Sequence, residues 1–273
     1  MTTHVDKGAV THALGEEFAS VHELLTELDD AEWGAPTPCP GWDVRAQVAH
    51  IIGTESMLAG IDAPVVEVDV EALDHVRNDI GGFNQRWVAA LADAAPLDLL
   101  DRYRPLVASR LEALADMNQE RWDTEGFTPA GRDTYGRFMR LRIFDIWMHE
   151  QDIRDAVGRP GHEAGPAVDQ ALEEMTGALG FVVGKQAAAP EGSSVTFELT
   201  GDSGRAIHVA VSDRARVVDD LDGPATVTLR MPVGTFTRLA GGRIGTDEVT
   251  DRIKVTGDET LGHRVLTNLA YTI

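Results

Sequence analysis

Cysteine is almost absent from this 273-residue chain: Cys39 stands alone. An intramolecular disulfide and a cysteine-rich metal site are therefore excluded, and any thiol chemistry is expected to draw its thiol from outside the protein. Basic residues are scarce too. Lys and Arg total 24 against 45 Asp and Glu, a formal charge of −21. That balance argues against a nucleic-acid partner, since phosphate contact is driven by Lys and Arg, and against an anionic membrane surface. Acidity of this kind serves solubility, and an anionic substrate would need a local basic group. No apolar run approaches the roughly 20 residues of a bilayer span. The opening stretch "MTTHVDKGAV" lacks the apolar core of a secretory signal, so the expected location is the cytoplasm. There is no G-x-S-x-G, no hydrolase triad, and "GGFNQRW" is too short and wrongly placed for a phosphate loop.

What is present reads as an ordinary globular chain, 43% hydrophobic and 25% charged, long enough for two modest domains. The first half is helical in pattern. Residues 9–29 carry Leu14, Phe18, Val21, Leu24, Leu25 and Leu28 at helical spacing. "GAPTPCPGW" breaks the chain, and Asp43 opens a helix to about Gly60 whose apolar content is Val44, Val48, Ile51, Ile52 and Met57 or Leu58. Further helices are predicted over about 71–93, 97–119, 134–157 and 165–185. "RWDTEGFTPAGRDTYG" between them reads as a long loop of the kind that is often functional. After "KQAAAPEGS" the period changes to two in "SVTFELTG", "RAIHVAVSD", "ATVTLRMP" and "RIKVTGD", which marks strands. "PVGTFTRLAGGR" and "ETLGHRVLTNLA" read as helices. The expected class is α+β: a helical bundle over 1–186, then a small α+β domain over 187–273.

The chemistry concentrates in "FDIWMHEQDIRDA". Asp145, His149 and Asp152 follow at spacings of four and three, on one helix face shared with Phe138, Leu141 and Ala156, which reads as a core stripe. Asp145 and His149, one turn apart, either bind a cation as inward-facing bundle residues do, or belong to a surface-exposed acidic patch, or reflect a hydrogen-bonded core histidine. A cation needs a third ligand from another helix. His50 is the natural one, because it lies off the apolar stripe of its own helix, though spacing alone does not bring it there.

A resemblance does. "TPCPGWDVRAQVAH" followed by "RIFDIWMHEQDIRDAVGRPG" resembles the mycothiol-dependent maleylpyruvate isomerase family, an actinobacterial branch of the DinB-like metal-binding four-helix bundles. The C-terminal "ATVTLRMPVGTFTRLAGGR" and "KVTGDETLGHRVLTNL" are similar to the sterol-carrier-like domain that completes such proteins. The resemblance implies metal ligands His50, Asp145 and His149, a divalent ion, zinc by preference, and mycothiol as thiol cosubstrate. One departure matters: the characterised isomerase has glutamate where this chain has Asp145, one methylene shorter. Two histidines and a carboxylate leave a four-coordinate zinc with an open position, where a bound thiol is deprotonated.

Asp152 is expected either to accept the other imidazole N–H of His149 and fix the ring or to be an exposed helix acid near Arg154 or Arg159. Glu150, about 100° off the ligand face, is expected to be solvated. Cys39, between two prolines, is expected to be a small packed residue, and Trp42 and Trp147 core or pocket wall. Arg243 in "LAGGR" is the candidate carboxylate clamp, against the reading of a surface arginine, with Arg86 and Arg140 as weaker alternatives. The expected activity is S-transfer or cis–trans isomerisation of a small electrophilic or anionic substrate by a monomer or homodimer. The rivals are an apolar-ligand binder that uses the second domain and a thiol-independent metal hydrolase.

Overall fold

The computed structural model describes residues 2–272, which divide into two compact units at Gly161/His162. Four long helices form the first unit: α1 (Lys7–Thr26), α2 (Val44–Leu58), α4 (Pro96–Asp116) and α6 (Tyr135–Val157). They pack in a ring, α1 against α4 and α6, and α2 against α4 and α6, while α3 (Asp79–Ala90) lies on the outside of α2. Local sequence sets the boundaries. The side chains of Asp6, Asp43, Asn78 and Thr134 accept backbone N–H groups of Ala9, Ala46, Gly81 and Arg137, satisfying donors that a helix start leaves unpaired. Gly158, at φ +67°, ends α6 in the left-handed conformation that suits glycine.

Three expectations for this unit change. The helix predicted from about 71 begins at Asp79, after a 3-10 turn at Val70–Ala72, because Asn78 caps it there. The predicted long loop contains a short helix, α5 (Gln119–Trp122), and a hairpin, β1 (Glu125–Thr128) and β2 (Gly131–Thr134), turned at Gly131 with φ +104°. Asp133 anchors the hairpin: it accepts from the backbone N–H of Thr3 at 2.7 Å, from Thr134 and from Arg137 Nη1 at 2.8 Å. Burial opposes its charge, yet these bonds hold its carboxyl far below the usual range. The core stripe of α6 also differs. Phe138, Leu141 and Ala156 are only half-buried, while Met139, Ile143, Ile146, Trp147 and Ile153 are fully buried. The face bearing Asp145 is thus not an apolar core stripe: Phe138, Leu141, Asp145 and Ala156 on it are half-buried, while the polar His149 and Asp152 are buried.

In the second unit, β3 (Ser194–Thr200), β4 (Ala206–Val211), β5 (Ala215–Val218), β6 (Val227–Pro232) and β7 (Lys254–Gly257) form one sheet in the order β5-β4-β3-β6-β7. β3 and β6 are parallel and the other pairs antiparallel. Alternation is clean in β6, where Val227, Leu229 and Met231 are buried and Arg230 is exposed beside Glu198 of β3. α7 (Pro166–Phe181) lies on β4 and β5, α8 (Val233–Ala240) on β3 and β6, and α9 (Glu259–Thr267) on β6 and β7. The junction predicted after residue 186 differs from this division. α7 continues the helical texture of the first half in sequence, but its buried face, with Val168, Ala171, Leu172 and Met175, belongs to the sheet unit. β5, a four-residue strand, has no counterpart among the predicted strands.

Candidate functional site

Helix α2 is enclosed on nearly every side, and from Ala46 to Ser56 each of its residues is buried. His50 sits in its middle, 3% exposed, where the chain crosses α6. Its Nε2 lies 3.0 Å from Asp145 Oδ2. His149, one turn along α6, brings its Nε2 to 3.8 Å from Asp145 Oδ1, and the two imidazole centroids are 4.8 Å apart. His50, Asp145 and His149 each offer a ligand atom within 4.8 Å of the others. Trp42, just before α2, covers this pair: its ring centroid is 5.1 Å from that of His50 and 5.7 Å from that of His149. The indole Nε1 donates to Gln85 Oε1 at 3.2 Å, which fixes the ring against α3. Trp42 is therefore pocket wall, and Trp147 is core.

A chain of buried charges supports the carboxylate. Arg142, one turn before Asp145, donates through Nη1 to Asp145 Oδ2 at 2.6 Å and through Nε to Glu55 Oε1 at 3.0 Å. Glu55, fully buried, also accepts from Arg110 Nε at 3.1 Å. Arg110 goes on to donate to the Tyr135 hydroxyl at 3.0 Å. The two arginines and two carboxylates cancel in charge, so Arg142 can approach Asp145 without leaving an excess cation in the interior. Neither Arg142 nor Glu55 was singled out in the sequence. The signal was there: Arg142 precedes Asp145 by three residues on one helix face, and Glu55 is a carboxylate inside the apolar run of α2.

These surroundings set the ionisation. Burial raises the cost of charge on Asp145, but His50 and Arg142 beside it more than offset this and hold its carboxyl well below the usual range. His50 moves the other way: burial lowers its pKa, and the Asp145 carboxylate only partly restores it. At neutral pH the site therefore presents an ionised carboxylate and a neutral His50 imidazole, the forms that ligate a metal. Two imidazoles and one carboxylate fit a divalent ion of the zinc type.

Asp152 is buried, 1% exposed, which excludes the reading as an exposed acid. Its Oδ2 lies 3.5 Å from His149 Nδ1 and accepts from Gln47 Nε2 at 3.4 Å. The expected hydrogen bond to His149 is not made, and Nδ1 has no hydrogen-bond partner among the described residues. Glu150 overturns its expectation: it is fully buried, because the flank of α6 that it occupies meets α1, and it accepts from Ser20 Oγ at 2.6 Å and Arg154 Nε at 2.8 Å. Cys39 is half-buried rather than packed away. Arg243 follows α8 in the second unit, half-buried, with Nη1 donating to Gly241 O at 2.9 Å. Arg86 is exposed on α3 and Arg140 half-buried on α6.

Residues 14–154 match the family model described as the mycothiol maleylpyruvate isomerase N-terminal domain, and residues 169–264 match the C-terminal domain model of the same family. Uncharacterized proteins from two strains of Mycobacterium tuberculosis are 26% identical over 219 residues, covering 78% of this chain and 81% of theirs. The crystal structure of the mycothiol-dependent maleylpyruvate isomerase is 17% identical, with a TM-score of 0.59, over 94% of this chain and 96% of that one. A histidine-to-alanine mutant of that isomerase gives 16% identity and a TM-score of 0.58 over the same shares. At these identities the likeness shows a shared fold.

Proposed function

Because the chain belongs to the mycothiol maleylpyruvate isomerase family, we propose that it is a metal-dependent, mycothiol-using enzyme acting on a small electrophilic substrate. The observation that carries the reading is the convergence of His50, Asp145 and His149, from two helices, to within ligand-sharing distance. A divalent ion, zinc by preference, would supply there the positive charge that favours thiolate over thiol at neutral pH.

The chain's own residues do the rest. His50 and His149 would ligate through Nε2, the nitrogens turned toward Asp145. Arg142 grips the aspartate from the preceding turn and fixes its reach, which is one methylene shorter than the glutamate of the characterised isomerase. Trp42 excludes water from one side of both imidazoles. Asp152, 3.5 Å from Nδ1, places a carboxylate on the side of the His149 ring away from Asp145. Arg243 is the proposed clamp for a substrate carboxylate, because guanidinium pairs with it bidentately. With a cis-unsaturated diacid, sulfur adds to the double bond, the new single bond rotates, and expulsion of the thiolate leaves the trans product. With a substrate carrying a leaving group or an epoxide, the same attack yields a stable S-conjugate.

Metal analysis of carefully prepared protein, followed by cobalt substitution and mycothiol titration watched at the cobalt bands, tests this reading. About one divalent ion per chain, a spectral change on thiol addition and thiol-dependent turnover are expected. Protein without metal, or turnover that needs no thiol, would refute it, the latter pointing to a hydrolase.

A further inference from the structure

Each ring nitrogen of His149 faces a carboxylate, Nε2 toward Asp145 and Nδ1 toward Asp152. The Nδ1 side is unusual. The side chain is 8% exposed, Asp152 is 1% exposed, and the two atoms stand 3.5 Å apart with no hydrogen bond from Nδ1. A charge-assisted N–H···O bond closes to about 2.7–2.9 Å. Two ligands on one tetrahedral ion, each roughly 2.0–2.2 Å from it, stand about 3.3–3.6 Å apart. The gap therefore has the width of a shared cation rather than of a hydrogen bond. A third donor completes the set: Cys39, His149 and Asp152 each offer a ligand atom within 4.8 Å of the others. The loop carrying Cys39 is held in shape by Cys39 N donating to Thr37 Oγ1 and Trp42 N to Cys39 O, both at 3.2 Å, and Thr37 Oγ1 accepts from Gln47 Nε2 of α2 at 2.8 Å.

We propose that Cys39, His149 and Asp152 form a second cation site, selective for thiophilic ions such as Cd²⁺ or Cu⁺ and alternative to the His50–Asp145–His149 position. Thiolate sulfur selects soft ions over Mg²⁺ or Ca²⁺, and binding releases the thiol proton to solvent. A neutral imidazole has one lone pair to give. An ion held at Nδ1 leaves Nε2 protonated, so His149 serves one position at a time. Soft-metal capture thus removes a ligand from the other position, and the chain carries a built-in point of inhibition by soft metals.

Cadmium titration of the full-length, chelator-stripped protein tests this through the ultraviolet charge-transfer band of a cadmium–thiolate bond, which in a chain with one cysteine reports Cys39 alone. One equivalent is expected in the wild type and in His50→Ala, no band in Cys39→Ser, and affinity at least tenfold weaker in Asp152→Asn. No band in the wild type overturns the proposal. So does affinity unchanged within twofold in both Asp152→Asn and His149→Gln, which would mean a lone thiol taking up cadmium. Loss of the band in His50→Ala overturns it as well, since the sites would then be one. A band retained in His50→Ala stands even if the wild type proves to lack the catalytic metal, so the two readings fail separately. Cys39→Ser, a half-buried loop change, keeps the test readable should Asp152→Asn not fold.

Discussion

Substituting Glu55 by glutamine isolates the charge chain behind the site. Glu55 is fully buried and accepts one guanidinium N–H from Arg142 at 3.0 Å and one from Arg110 at 3.1 Å. Glutamine keeps the shape but offers one carbonyl oxygen where two carboxylate oxygens stood, and brings an N–H₂ against a cation. Each hydrogen bond to a charged group is worth roughly 1.5–3 kcal/mol, and breaking a buried ion pair costs about 3–5 kcal/mol. Both arginines keep other partners, Asp145 for Arg142, and Tyr135 and the Leu58 carbonyl for Arg110. The loss is therefore expected at the lower end, about 3 kcal/mol, a large part of the roughly 5–15 kcal/mol that holds a native protein together. Urea unfolding followed by tryptophan fluorescence measures it, with Arg230→Ala as the control. The Arg230–Glu198 pair is 53% and 42% exposed, and surface pairs contribute about 0–1 kcal/mol. A Glu55→Gln loss no larger than the control would refute the view that these charges are desolvated and mutually dependent.

Glu17, buried on α1, has its carboxyl raised well above the usual value by burial and then by the neighbouring Glu150. The folded state therefore keeps a proton that the unfolded state releases, and this group's stabilisation is complete below pH 4.5 and lost as pH rises through its folded pKa. Glu17→Gln should remove up to ~1.4 kcal/mol per pH unit of that decline; identical pH–stability slopes for the two proteins would count against it. Gly53→Ala would place a Cβ 2.4 Å from Trp87 Cγ where α3 lies on α2. Overpacking of this kind costs about 1–3 kcal/mol, read as a lower urea midpoint, and an unchanged midpoint would show that Trp87 yields freely. Because the Trp42 ring lies 5.1 and 5.7 Å, centroid to centroid, from the two candidate ligand imidazoles, cobalt uptake should quench part of the tryptophan emission and Trp42→Phe should remove that response. Quenching that survives the substitution would place the ion elsewhere.

The bundle helices and the strands were legible because their apolar residues repeat at 3.6 and at 2, and the caps at Asp43, Thr134 and Gly158 mark where the pattern stops. The start of α3 and the β1–β2 hairpin were harder to read, since a cap at Asn78 and a tight turn at Gly131 act over two or three residues and leave no periodic trace. α7 was legible as a helix. Which core it joins was not, since its buried face fits a bundle and a sheet equally well in one dimension.

By itself the sequence determined the donors: one carboxylate and one imidazole four apart on α6, a second imidazole on α2, and a single cysteine. Only the tertiary structure decided their distances and charges. Glu150, read from its helix angle as solvated, is buried because α1 covers that flank, and Asp152 is buried beside an imidazole nitrogen it does not bond. Helix angle fixes where a side chain leaves its own axis. Whether it then meets water, a neighbouring helix or a compensating charge such as Arg142 depends on residues far away in the chain, and it is burial and neighbouring charge that set protonation.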